Sequence, residues 1–316
     1  MSKYQIKKKS RRTLMSRETF IAPTTLVLFI IALIFSKQIS LAVIDGMKLA
    51  AFSIIPSIFP FFILSDMLRS LPVKENSNCV SRVTKRLLGI NSSELGAFLC
   101  GNICGFPIGV GYASNLYIEG KISKERCERL IGISSNPSIA FVISGVGVGL
   151  LGSLNYGILL YASIITATLI TGALFKIDGK SINTDEKIKQ SFDLVVSIKN
   201  AAYSSISVSA YIIFFSTIIG IISSIINSAF ATAVISIFLE VGNASKLLSN
   251  IVFLPSNISL ALIAFSLAFS GISVHMQSRS VLHEDISMRT YYKMKLCEGV
   301  IAFLIVALIQ PLLTYI

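Results

Sequence analysis

The chain has 316 residues, 53% hydrophobic and 14% charged, with a mean hydropathy of +0.75. That balance excludes an ordinary water-soluble domain and requires a lipid bilayer as solvent. The formal net charge of +12 comes from 28 Lys and Arg against 16 Asp and Glu, but the basic residues are scattered between apolar runs with no basic patch interleaved with aromatics, so a nucleic-acid partner is excluded.

In chain order, residues 1–19 carry Lys3, Lys7, Lys8, Lys9, Arg11, Arg12 and Arg17 against Glu18 alone. The positive-inside rule makes them a cytoplasmic tail, able also to touch anionic lipid. Uncharged windows follow at 20–36, 49–65, 95–118, 130–175, 200–239, 247–274 and 299–316. The first is too long and too late for a cleavable signal and reads as a permanent span. A spanning helix takes about 20 residues, so the long windows hold two crossings each and the expectation is about eight or nine transmembrane or re-entrant segments. The alternating pattern of barrel strands is absent. The fold class is therefore all-α and polytopic. The expected organisation is the basic tail 1–19, a first bundle over 20–175, a cytoplasmic linker over 176–199 and a second bundle over 200–316.

An internal repeat is expected. Residues 48–65 laid against 199–216 share Lys, Ala-Ala, two serines and an isoleucine, and 93–109 finds a weaker echo in 259–275 that sets Gly105 opposite Gly271. Cys127-Glu128 and Cys297-Glu298 continue the match. The charge pattern makes the first bundle begin inward and the second outward, an inverted repeat of the kind that places a site near the midplane of transporters.

Four segments with helix breakers interrupt the apolar runs. The first, CGNICGFPIG from Cys100, contains Gly101, Gly105, Pro107 and Gly109 as hinge residues, with Asn102 at the break, Phe106 beside it, and Ser114 and Asn115 beyond. Non-helical backbone at membrane depth must be shielded by protein or line a wet cavity, and a broken helix exposes N–H groups that suit an anionic or polar solute. The second is SSNPS, where Pro137 is expected in the first turn of a new helix capped by Asn136 or Ser135, with Ser138 following. The third is FLEVGNAS, in which Glu240 ends the uncharged window 200–239 and Asn243 follows; a carboxylate so placed is a candidate for proton or cation coupling. The fourth is FSGISVHMQSRS, offering Gly271, Ser273, His275, Gln277 and Arg279. His275 is a second coupling candidate, Gln277 both donates and accepts, and Arg279 suits a carboxylate. The five cysteines show neither disulfide nor zinc spacing, and no nucleotide loop or catalytic triad is present, so no metal, no cofactor and no enzymatic activity are expected.

The stretch from GNICGFPIGVGYASN through SSNPSIAFVISGVGVGLLG, together with GISVHMQ from Gly271 and LEVGN from Leu239, resembles the sporulation integral membrane proteins of the nucleoside-recognition (Gate) domain family. The resemblance covers about residues 40–310 and lies in the combination of motifs. It implies passage of a small anion into the developing spore, dipicolinate first, across the mother-cell-derived outer forespore membrane. A nucleoside or related polar metabolite and a non-transport role in spore envelope assembly stay open, as does a second copy of the chain as partner.

Overall fold

A computed structural model of the chain describes residues 23–70, 79–176 and 193–313. Among these every regular element is helical. The basic tail 1–19 and most of the linker 176–199 lie outside the described residues.

The first helix, α1 (Pro23–Ile34), exposes Leu26, Phe29 and Leu33 by more than half, as a lipid-facing helix must. It turns by 86° into the next helix, so the window 20–36 is not the single straight span that its length suggests. The run α2 (Ser36–Leu49), a π-helical turn (Ala50–Ile54) and α3 (Ile55–Ser70) is continuous. The π turn has a local cause: Pro56 has no N–H and its ring crowds the carbonyl four residues back, which favours a wider turn just ahead of it. These helices pack along α9 (Leu194–Ile226). A Cβ on Gly46 would lie 2.9 Å from Ser216 Cβ and one on Gly220 2.5 Å from Ala42 Cβ, the close small-residue approach of membrane helix pairs.

A short helix α4 (Cys79–Leu88) leads to α5 (Ser92–Ile103), α6 (Ile108–Ile118) and α7 (Lys124–Ile133), then a π-helix (Phe141–Leu150) and α8 (Leu154–Leu174). The π-helix and α8 meet where a Cβ on Gly147 would come within 2.4 Å of the Gly157 Cα. In α7 two arginines turn away from solvent: Arg126 and Arg129 are 4% and 2% exposed. The Arg126 guanidinium grips the Glu94 carboxylate from Nε and Nη2 at 2.6 and 2.5 Å, which fastens α7 to the start of α5.

After α9, Asn227 turns left-handed (φ +48°) and Ser228 caps α10 (Ala229–Leu239), its Oγ accepting from Ala231 N at 3.3 Å. α11 (Val241–Ser249), α12 (Ser256–Phe269), α13 (Gly271–Ser280) and α14 (Arg289–Leu313) complete the chain. One apolar core runs from α2 and α3 through the π-helix and α8 to α9–α12 and α14; a second joins α5–α7 to residues 282–294.

Four helices among the described residues are long and apolar enough to cross a membrane: Leu154–Leu174, Leu194–Ile226, Ser256–Ser280 and Arg289–Leu312, or up to five if the bent pair at residue 35 is one span. The expected eight or nine segments resolve into these and a set of shorter helices. α5, α6 and α10 have 12, 11 and 11 residues, well short of about 20, because the chain turns at Gly105 after α5, at Pro107 before α6, and at Asn227–Ser228 and Glu240 on either side of α10.

Candidate functional site

The first two interruptions are built against each other. Gly105, between α5 and α6, has φ +90°, which glycine adopts without steric cost. The two helices then fold back so tightly that a Cβ on Gly109 would lie 2.5 Å from the Gly101 Cα. Between α7 and the π-helix, the freed carbonyls of the interruption find partners one by one. Ile133 O accepts from Asn102 Nδ2 at 3.0 Å, Ser135 O from Lys295 Nζ at 2.7 Å and Asn136 O from Phe106 N at 2.9 Å. Ser134 O is enclosed by Gly101 and Gly109, whose added Cβ atoms would come within 2.0 and 2.1 Å of it. The expected cap is corrected: helix resumes at residue 139, and Ser138 Oγ accepts from Phe141 N at 3.1 Å. Asn136 does not cap because its amide is engaged elsewhere, donating to Asn102 Oδ1 (2.8 Å) and Thr168 Oγ1 (2.9 Å).

The third and fourth interruptions also abut. Glu240, extended at φ −153° and 2% exposed, caps α11. Its Oε1 accepts from Gly242 N (3.0 Å), and its Oε2 accepts from Asn243 N (2.7 Å) and Asn243 Nδ2 (2.8 Å). Asn243 Nδ2 donates also to Ser216 Oγ on α9 at 2.8 Å. Ser270 and Gly271, at φ +79° and +67°, break the α12–α13 span, and a Cβ on Gly271 would lie 3.2 Å from Leu239 O.

Three of the interruptions, and the helix that follows the fourth, line one narrow cavity of ≈ 30 Å³. Cys104, Gly105 and Phe106 come from the first, Ser138 from the second, Glu240 from the third and Gln277 from α13, after the fourth; Phe141, Val208 and Ile212 add apolar wall. Gln277 is 3% exposed; its Nε2 donates to Ser273 Oγ at 3.2 Å and its Oε1 has no hydrogen-bond partner among the described residues. Phe106, Ser138, Glu240 and Gln277 are thus brought together from distant parts of the sequence.

Other expected site residues stand behind the cavity or away from it. Asn102, Ser135 and Asn136 form a buried polar cluster with α14: Lys295 Nζ donates to Ser135 O (2.7 Å), Asn136 Oδ1 (2.8 Å) and Glu298 Oε2 (2.5 Å). Tyr161 closes it by donating to Asn102 O at 2.8 Å. His275 Nδ1 is 3.1 Å from Tyr291 OH, and its ring stands edge-on to Phe269, Tyr291 and Tyr292. Ser114 Oγ accepts from His283 N at 2.9 Å, and Asn115 is exposed. Neither residue is among those lining the cavity. Arg279 does not reach it either: its guanidinium donates to Ile286 O (3.0 Å), Glu284 O (3.3 Å) and His283 O (3.5 Å), because α13 carries it a half-turn past Gln277 toward the loop before α14.

Lys295, Glu298 and Tyr291 escaped the sequence reading. They sit in the polar stretch YYKMKLCEG, which looks like the charged flank of a span, yet Lys295, Glu298 and Tyr291 are each fully buried. The available signal was the Lys–Glu spacing of three, which puts opposite charges on one helix face.

No protein-family model matches the chain, and no solved structure matches it. The chain is similar to the sporulation integral membrane protein YlbJ of Bacillus subtilis (strain 168), at 25% identity in a match that covers 83% of this chain and 75% of the relative. The long apolar helices and this similarity agree that the chain is an integral membrane protein.

Proposed function

We propose that the protein is a secondary transporter or facilitator that passes a small polar organic solute through the space between its four interrupted helices. The observation that carries this reading is the cavity, in which breaks from both halves of the chain present a carboxylate, a hydroxyl and an amide in one buried space. Irregular backbone at membrane depth is tolerated where protein or water shields it, and discontinuous helices near the midplane are how many transporters build their sites. A cavity of ≈ 30 Å³ takes water and no metabolite, so passage requires the interruptions to separate. Transport is favoured over catalysis because Glu240 is engaged in capping α11 and Ser138 in capping the π-helix, which leaves neither poised as base or nucleophile. The similarity to a sporulation membrane protein supports a setting in spore formation, and the membrane we propose for it is the outer forespore membrane.

The geometry favours a neutral solute with hydroxyl or amine donors, of the nucleoside kind. Among the residues lining the cavity Glu240 is the one charged side chain, and it accepts hydrogen bonds while repelling an anion. Dipicolinate, the solute that the resemblance in sequence implies, is the second reading and requires a proton shared with Glu240. Binding of dipicolinate and of a nucleoside panel to purified protein, compared with Glu240→Gln and Gln277→Ala, separates the two. A nucleoside-type solute loses affinity about tenfold or more in Glu240→Gln, the size of one lost charged hydrogen bond, and about fivefold in Gln277→Ala, the size of a neutral one. Dipicolinate instead gains affinity in Glu240→Gln and loses it in Gln277→Ala. Reconstituted vesicles that move neither kind of solute would turn the reading to a structural role in envelope assembly.

A further inference from the structure

The buried cluster behind the cavity has the form of an occupied cation site. Beyond the end of α7 the chain is unwound over residues 135–138, and unwound carbonyls beside a helix end are where membrane proteins coordinate small cations. Here the place is filled by the Lys295 ammonium, which is fully buried and has one oxygen for each of its three N–H bonds: the Ser135 carbonyl, the Asn136 amide oxygen and the Glu298 carboxylate, at 2.7, 2.8 and 2.5 Å. The Asn136 amide is locked in the orientation that offers oxygen, because its Nδ2 is held by Asn102 and Thr168. The second Glu298 oxygen, Oε1, is buried and has no hydrogen-bond partner among the described residues. The set therefore contains a main-chain carbonyl, a side-chain carbonyl and a carboxylate with a spare oxygen, the hard-oxygen surroundings that suit a monovalent metal ion.

We infer that the Lys295 ammonium is a tethered cation that stands where a diffusible monovalent ion would otherwise bind, so that the interrupted span needs no sodium or potassium to hold its shape. The inference does not depend on which solute passes, or on whether one does. It assigns Lys295 and Glu298 to the positioning of Ser135 and Asn136, and through Asn136 O to Phe106 at the cavity wall.

The test is thermal unfolding of the purified full chain in sodium, potassium or choline chloride at equal ionic strength. The native protein is expected to unfold at one temperature in all three salts. Lys295→Ala empties the ammonium position while leaving the oxygens; its midpoint is expected to fall in choline and to rise saturably by about 2–4 °C with sodium or potassium. Lys295→Ala combined with Glu298→Gln lacks the carboxylate and is expected to show no difference between salts. A saturable sodium or potassium response in the native protein overturns the inference, as does a Lys295→Ala midpoint equal in all three salts. If Lys295→Ala can be purified only in sodium or potassium, the inference is supported. If it folds in no salt while the double variant folds in all, the oxygens take no ion and the inference fails.

Discussion

Glu94 shows how much a single carboxylate organises in this chain. It receives Asn91 N at 2.7 Å and both Nε and Nη2 of Arg126, and with 1% and 4% exposure the pair is nearly dry. Removing one member of a buried ion pair costs about 3–5 kcal/mol because the other charge stays buried. Glu94→Gln is therefore expected to lower the unfolding midpoint by on the order of 10 °C, and Glu94→Leu with Arg126→Met to recover most of it; equal stability of Glu94→Gln and the native protein would show that the pair carries no such weight. At this scale the sequence was partly readable. Asn102 and Asn136 stand out as polar groups in apolar runs and do meet, and Gln277 reaches the cavity. Arg279 is expected at the site and turns away from it, whereas Lys295, which nothing in the sequence singles out, turns inward, since local sequence cannot tell which cation of a charged flank does so; that depends on where the breaks of another helix leave open carbonyls.

The glycines of α5 and α6 act at the level of elements. Gly109 faces the Ser134 carbonyl at 2.1 Å from any added Cβ, with the Gly101 backbone beside it, and backbone on both sides cannot yield. Gly109→Ala is expected to destabilise by more than about 3 kcal/mol, or to prevent folding. Gly111, in the same helix, has nothing nearer than the Val281 side chain at 3.9 Å, so Gly111→Ala is expected to be neutral or to stabilise by up to about 1 kcal/mol through helix propensity. Thermal unfolding of the two variants side by side checks the contrast, and similar midpoints would sink it. The breaks themselves were legible because Gly and Pro punctuate uncharged runs. Helix lengths were not. In the window 200–239, absence of charge says nothing about where a helix stops, and the chain makes one helix of 33 residues and one of 11, divided at Asn227, whose left-handed turn leaves Ser228 to cap α10.

At the scale of the whole molecule we propose a pairing of elements for the expected internal repeat. With α4 set apart, the long run α2–α3, the short pair α5 and α6, the interrupted α7 and π-helix, and α8 are succeeded by α9, the pair α10 and α11, the interrupted α12–α13, and α14. A duplication in this order sets Gly105 opposite Glu240 and residues 134–138 opposite 270–271. Residue matching had set Gly105 opposite Gly271; both have positive φ, but they belong to different kinds of break. Because Cys104 and Gln277 line the same cavity from different halves, Gln277→Cys is expected to be bridged to Cys104 by a short thiol reagent when the other cysteines are replaced, and the bridged protein is expected to transport nothing in vesicles. Undiminished transport after complete bridging would mean that solute passes elsewhere. The Glu240 cap carries one more consequence. An ionised carboxylate offers about four lone-pair sites, and Gly242 and Asn243 already use three of them. One donor can join without disturbance, whereas a second must take an oxygen from the first turn of α11, so occupancy of the cavity and order of that turn compete, and a solute that grips harder loosens the wall that holds it.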